Sequence, residues 1–128
     1  MRIRKPAAAG SFYPSDPERL ASYVDSLVGE RLELEGEVEG LISPHAGYDY
    51  SGPIAGRVYS LLRGRSFKRV LLIGPSHFVD FDGLSLGSFD LFETPLGAVR
   101  VDREAVDAYA RGRRWMLEDL PHLLGTLP

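Results

Sequence analysis

The chain has 128 residues, 44% of them hydrophobic, and a formal net charge of -3 from 15 basic and 18 acidic side chains. That length makes one ordinary domain, burying roughly two thirds of the surface its unfolded chain exposes. Charges of both signs are scattered along it, which excludes an electrostatic footprint for nucleic acid or a membrane surface; the lack of cysteine excludes disulfides and thiolate metal ligands. Any metal must be held by His, Asp, Glu, Tyr or backbone oxygen. No apolar stretch approaches the roughly 20 residues of a membrane span. Ala7-Ala8-Ala9 after Arg2, Arg4 and Lys5 is too short an apolar stretch for a signal peptide, so the expected location is cytoplasmic. Asn and Gln are absent, and 13 arginines outnumber 2 lysines, a pattern compatible with heat adaptation or a biased genome.

The first helix has clear punctuation. Ser15 and Asp16 offer cap oxygens and Pro17 suits the first helical position; Leu20, Tyr23, Val24, Leu27 and Val28 then recur at helical spacing up to Gly29. Glu30 to Glu39 is acidic and mixed, a loop or a short edge strand. Leu41-Ile42-Ser43 reads as a buried strand stopped by Pro44. A second helix is expected from Ser51, its cap, to Arg63, with Pro53 in the first turn, Gly64 closing it, and Ile54, Ala55, Val58, Tyr59, Leu61 and Leu62 on the buried side.

Arg69 to Ile73 reads as a second buried strand, followed by a loop from Gly74 to Asp82 and a further strand through Leu84, Leu86 and Phe89. Thr94-Pro95-Leu96-Gly97 is a turn signal and Ala98 to Val101 a return strand. Asp102 can cap a third helix carrying Ala105, Val106, Ala108 and Tyr109, after which Arg111, Arg113 and Arg114 read as a solvated helix end in preference to a phosphate or partner site. The tail, with Trp115, Met116, Leu117, Leu120, Leu123, Leu124 and Leu127, is too apolar to hang free. It is expected to pack on the sheet or on another subunit, giving a homo-oligomer. Strand, helix and strand in this order imply a right-handed crossover, hence a single α/β domain with a mostly parallel central sheet flanked by helices.

Two of the three histidines follow the two apolar runs: Pro44-His45-Ala46-Gly47-Tyr48 and Gly74-Pro75-Ser76-His77. Parallel neighbours lie roughly 5 Å apart and α/β ligand sites form beyond the carboxyl ends of strands, so both imidazoles are expected at one sheet edge, able to share an ion or a substrate. Neutral imidazole suits iron, copper and zinc, and two of them need a carboxylate or water to complete a site. Asp49, Asp80, Asp82 and Glu93 are the candidate carboxylates, with His122 as a further donor. Tyr48 and Tyr50 offer phenols or simply packing. Ser76 adjoins His77, but Gly-Pro-Ser-His lacks the Gly-x-Ser-x-Gly elbow of a serine nucleophile. Tyr48, Asp49 and Ser76 are therefore read as substrate contacts beside His45 and His77.

Four segments, Arg4 to Pro14, Ser43 to Gly52, Leu72 to His77 and Thr94 to Gly97, together resemble the Memo family, in order, from near the N-terminus to about Tyr109. Memo proteins are similar in fold to class III extradiol dioxygenases, which cleave catechol rings with a non-haem iron held by two histidines and a carboxylate. The resemblance implies that His45 and His77 are catalytic metal ligands, that the cofactor is iron or copper, with zinc as the alternative, and that the partner is a small aromatic substrate or a protein. Family members are usually about twice this length, and the segment 113–128 departs from their pattern, so the chain resembles their N-terminal half and a truncated fold. Two functions follow as expectations: a metal-dependent, dioxygenase-like oxidoreductase whose missing ligand comes from Asp49, Asp80, His122 or a second subunit, or a catalytically silent binding or scaffold protein that dimerises through its apolar tail.

Overall fold

A computed structural model describes residues 1–111 and, as backbone only, 116–118. The chain falls into two compact units: Ala8–Val70, and Met1–Ala7 together with the chain from Leu71 onward.

The Ala8–Val70 unit is a helix pair, α1 (Pro17–Val28) and α2 (Tyr48–Ser60). Helix α1 starts where its sequence says it should. The Asp16 carboxylate accepts from the Arg19 backbone N–H at 2.8 Å, Pro17 takes the first position, and Gly29 ends the helix at φ +57° while its N–H reaches the Asp25 carbonyl. Leu20 is buried at 4% exposure.

Helix α2 corrects three expectations. It begins at Tyr48 on a Gly47 N-cap, three residues before Ser51, whose hydroxyl instead donates back to the Ala46 carbonyl at 2.9 Å. Pro53 therefore lies inside the helix rather than in its first turn. Its buried face is Gly52, Gly56 and Ser60, while Ile54 and Tyr59 are exposed. The reason is close approach. Residues four apart form one ridge, and with hydrogens or a hydroxymethyl on that ridge the backbone of α1 settles directly against α2. A Cβ on Gly56 would lie 2.2 Å from the Leu27 carbonyl oxygen. Ser60 is fully buried with its hydroxyl satisfied twice, donating to the Arg57 carbonyl at 2.7 Å and accepting from the Leu32 N–H at 3.3 Å. Arg63 donates to the Gly29 carbonyl at 3.0 Å, tying the far ends of the two helices.

The other unit carries β1 (Ile3–Arg4), β2 (Leu84–Leu86), β3 (Leu91–Thr94), β4 (Gly97–Arg100), helix α3 (Arg103–Ala110) and β5 (Met116–Glu118). Strand β3 is central to a mixed sheet, parallel to β1 with Ile3 opposite Leu91 and antiparallel to β4 with Phe92 opposite Val99. The expected turn at Thr94–Gly97 closes this hairpin: the Leu96 N–H donates to Thr94 Oγ1 at 3.1 Å, and that hydroxyl donates to the Gly97 carbonyl at 3.0 Å. Strand β1 is held by Asp90, which accepts from the Arg2 N–H through its carboxylate and donates its own N–H to the Arg2 carbonyl. Arg2 and Arg4 lie over the rings of Phe89 and Phe92, which meet edge to face at 6.2 Å. Phe89 is the buried hydrophobic centre here. Strands β2 and β5 form a separate parallel pair, and α3 opens on Asp102, whose carboxylate accepts from the Ala105 N–H.

The chain is thus α/β, but among the described residues a mixed three-stranded sheet and a two-stranded parallel pair stand where a mostly parallel central sheet was expected. The two apolar runs expected to form its centre are not strands. Ile42 is 97% exposed, and Val70, Leu71, Leu72 and Ile73 are 59–74% exposed. A run that is apolar on both faces holds as a strand when layers cover both faces, and here Ile42 and Val70–Ile73 stand exposed while Leu41 is half-buried. Glu30–Glu39 is a loop rather than a strand. Arg113, Arg114, the side chains of Met116 and Leu117, and the rest of the expected tail packing lie outside the described residues. No described helix is long and apolar enough to cross a membrane.

Candidate functional site

The segment Ala8–Pro14 folds back on itself. The Gly10 N–H donates to the Tyr13 carbonyl at 2.8 Å, and the N–H groups of Ser11 and Phe12 both reach the Ala8 carbonyl. Gly10 sits at φ +84°, a conformation that side-chain-bearing residues rarely adopt. This tight loop then catches the start of α2, since the Tyr48 N–H donates to the Phe12 carbonyl at 2.8 Å. Pro44-His45-Ala46-Gly47 is thereby pinned at its helix end to Gly10-Ser11-Phe12-Tyr13, and His45 stands exposed on it.

Three tyrosines gather at this junction. The rings of Tyr13 and Tyr48 lie 5.3 Å apart, those of Tyr23 and Tyr48 6.2 Å apart. The Tyr23 hydroxyl donates to Asp49 Oδ1 at 2.7 Å. That hydrogen bond, with lesser help from desolvation and the carboxylate charge, raises the Tyr23 pKa above the ordinary phenol range; burial does the same for Tyr48, aided by Tyr13 and Tyr59. Asp49 also suits the positive end of α2. An open cleft of about 780 Å³ lies alongside, lined among others by Ser11, Tyr13, Arg19, Tyr23 and Asp49. Of the expected substrate contacts in this unit, Asp49 lines the cleft and Tyr48 packs among the tyrosines. Tyr50 projects into solvent at 88% exposure.

In the other unit, Ser76 and His77 sit exposed in the loop between the Val70–Ile73 run and β2. The Ser76 hydroxyl donates to the Val79 carbonyl at 2.5 Å and accepts from the Val79 N–H at 3.3 Å. These two bonds close a turn from Ser76 to Val79. Asp80 and Asp82 share this loop; Glu93 instead pairs with Lys5 at 2.5 Å. His122 lies outside the described residues.

The donor chemistry can now be tested. Two imidazoles suit iron, copper or zinc. Among the described residues, however, no three His, Asp or Glu side chains form a group that could hold a metal ion. The junction of Tyr13, Tyr23, Tyr48 and Asp49 was hidden in the sequence because Tyr23 reads as part of the apolar stripe of α1. Tyr48 and Asp49 are the two members that the sequence did single out.

The sequence profile described as Memo-like protein matches residues 4–121. Among curated relatives, a MEMO1 family protein of Pyrobaculum aerophilum is 40% identical over 116 residues, covering 84% of this chain and 41% of that protein. One from Aeropyrum pernix is 43% identical over 116 residues, with 82% and 41% covered, and one from Nitrosopumilus maritimus 34% identical over 127 residues, with 94% and 46% covered. The chain spans less than half the length of these relatives. The loop at Gly10–Tyr13, its bond to Tyr48 and both histidine loops all lie within the matched region, and the chain belongs to the Memo-like protein family.

Proposed function

We propose that this chain contributes the two imidazole donors, His45 and His77, to a Memo-type metal site that needs at least one donor beyond these two histidines to become catalytic. The observation that supports this reading is the pair of exposed histidines, each in a proline-containing loop inside the family match. Iron or copper is the expected ion, with zinc as the alternative. Asp80 and His122 are the candidate further donors in this chain, and Tyr48, Asp49 and Ser76 the candidate contacts for a small aromatic substrate. With a third donor in place the site would serve a dioxygenase-like oxidoreductase; without one the chain is a binding protein.

Calorimetric titration with ferrous, cupric and zinc ions tests this directly. The wild-type chain should take up one ion, and His45→Ala and His77→Ala should each weaken uptake by about tenfold or more, about 1.4 kcal/mol. Uptake that survives the double substitution, or no uptake by the wild type, would refute the assignment. Turnover of a catechol by the metal-loaded chain alone would show that the donor set is complete and overturn the binding-protein reading.

A further inference from the structure

The tyrosine junction of the Ala8–Val70 unit does more than packing requires. Tyr48 meets Tyr13 at 5.3 Å and Tyr23 at 6.2 Å between ring centroids, separations at which aromatic rings touch. Three phenylalanines would fill that space equally well. The Tyr23 hydroxyl, however, donates to Asp49 Oδ1 at 2.7 Å. A carboxylate is a base, and here it sits on the one proton that a phenol must lose when it is oxidised.

That proton decides how readily the ring gives up an electron. An electron taken alone leaves a radical cation, a strongly acidic and costly product, whereas an electron and a proton lost together leave a neutral phenoxyl radical. The bond to Asp49 holds the Tyr23 pKa above its ordinary value of about 10, so at neutral pH the proton is still on the oxygen, aimed at its acceptor. Asp49 is exposed and lines the open cleft with Tyr13 and Tyr23, so a proton it receives can pass on to water. Contact with Tyr48, itself touching Tyr13, extends the aromatic surface from which the electron can be drawn.

We infer that Tyr23 and Asp49 form a one-electron donor site for an oxidant of the high-potential metal-complex class. The oxidant gains one electron from the Tyr23 ring, the Tyr23 O–H bond breaks, and the proton bonds to Asp49 Oδ1. The products are the reduced oxidant, a neutral phenoxyl radical at Tyr23 and a carboxylic acid at Asp49. An oxidising equivalent is thereby held on one defined side chain. This role is independent of metal uptake at His45 and His77, so either reading can fail without the other.

The experiment uses the 128-residue protein carrying Trp115→Phe, which removes the chain's one indole, and tris(bipyridine)ruthenium(III) generated by a laser flash as the oxidant. Transient absorption should show a neutral phenoxyl radical that forms more slowly in heavy water, and the spin-resonance signal trapped by freezing should come from one tyrosine. Tyr23→Phe, which keeps the ring, should remove that signal. Asp49→Asn keeps a hydrogen-bond acceptor but not a base, and should slow radical formation by about tenfold or more, while Asp49→Glu should restore it. Either Tyr23→Phe or Asp49→Asn serves if the other loses its circular dichroism signature. Tyr50→Phe, at a tyrosine 88% exposed, should leave rate and signal unchanged. A signal that survives Tyr23→Phe, or a rate indifferent to Asp49→Asn, overturns the inference. Loss of the signal in Tyr50→Phe assigns the oxidation to exposure alone and overturns it too.

Discussion

Gly56→Ala puts two physical effects in opposition, and the structure says which wins. Within an isolated helix the substitution is favourable by about 1 kcal/mol, because glycine loses more backbone freedom than alanine. In α2 the new Cβ would stand 2.2 Å from the Leu27 carbonyl oxygen and 2.5 Å from its carbonyl carbon. Those are backbone atoms of α1, which cannot rotate away. The helices must separate by about 1 Å, and forced overpacking of this sort costs about 3 kcal/mol at the upper end of its usual range. The net loss is about 2 kcal/mol, a fall in melting temperature of about 10 °C for a unit of this size. Gly52→Ala is the internal comparison, because its Cβ would meet Leu27 Cδ1 at 2.8 Å, the mobile end of a side chain. It should be close to neutral, and in a Leu27→Ala background it should become stabilising, whereas Gly56→Ala should remain destabilising there. Thermal and urea unfolding followed by circular dichroism give all of these values. A Gly56→Ala protein as stable as the wild type, or relief of its defect by Leu27→Ala, would refute the close-approach reasoning.

The Tyr23–Asp49 bond makes a prediction in alkali. Because the folded-state pKa of Tyr23 is raised above its ordinary value of about 10, the bond stabilises the fold in full below that pH and is lost as pH climbs through the raised value. Asp49→Asn should move the Tyr23 phenol back toward its ordinary value, read by NMR of ring-labelled tyrosine; an unmoved titration would show that the hydrogen bond does not control it. Ser60→Ala should cost about 1–2 kcal/mol in urea unfolding, since the Leu32 N–H loses its buried acceptor. A neutral result would mean that water replaces the hydroxyl.

Local chemistry was legible where it is self-sufficient. Asp16, Pro17 and Gly29 mark α1 because cap bonds and glycine's conformational freedom act within a few residues, and Thr94 to Gly97 mark their hairpin for the same reason. Strand β1 was not visible. Two residues carry no periodicity, and their pairing is set by Asp90, far along the chain. The face of α2 was misread because the reading sought large apolar side chains, whereas the contact is made by the Gly52, Gly56 and Ser60 ridge that lets two backbones touch. The apolar runs before His45 and His77 were read as strands from composition alone. Composition can say that a run is fit to be buried, but burial needs a covering layer, and Ile42 and Val70–Ile73 stand exposed. At the site, the family motifs were legible one by one, but the bond that joins Tyr48 to Phe12 was not, because it is made between backbone atoms.

The exposed run at Val70–Ile73 also governs how the protein behaves at high concentration. Short, uncharged, β-prone segments stack across molecules into cross-β ladders unless their neighbours resist. Lys68 and Arg69 precede this one and Gly74-Pro75 follow it. Charge on one side repels an incoming copy, and on the other a proline lacking an N–H interrupts any growing ladder. These four flanking residues confine the hazard to a stretch of about four residues, shorter than the six or seven a stable steric zipper ordinarily needs. The exposed run thus carries, at both ends, residues that oppose stacking on its own kind.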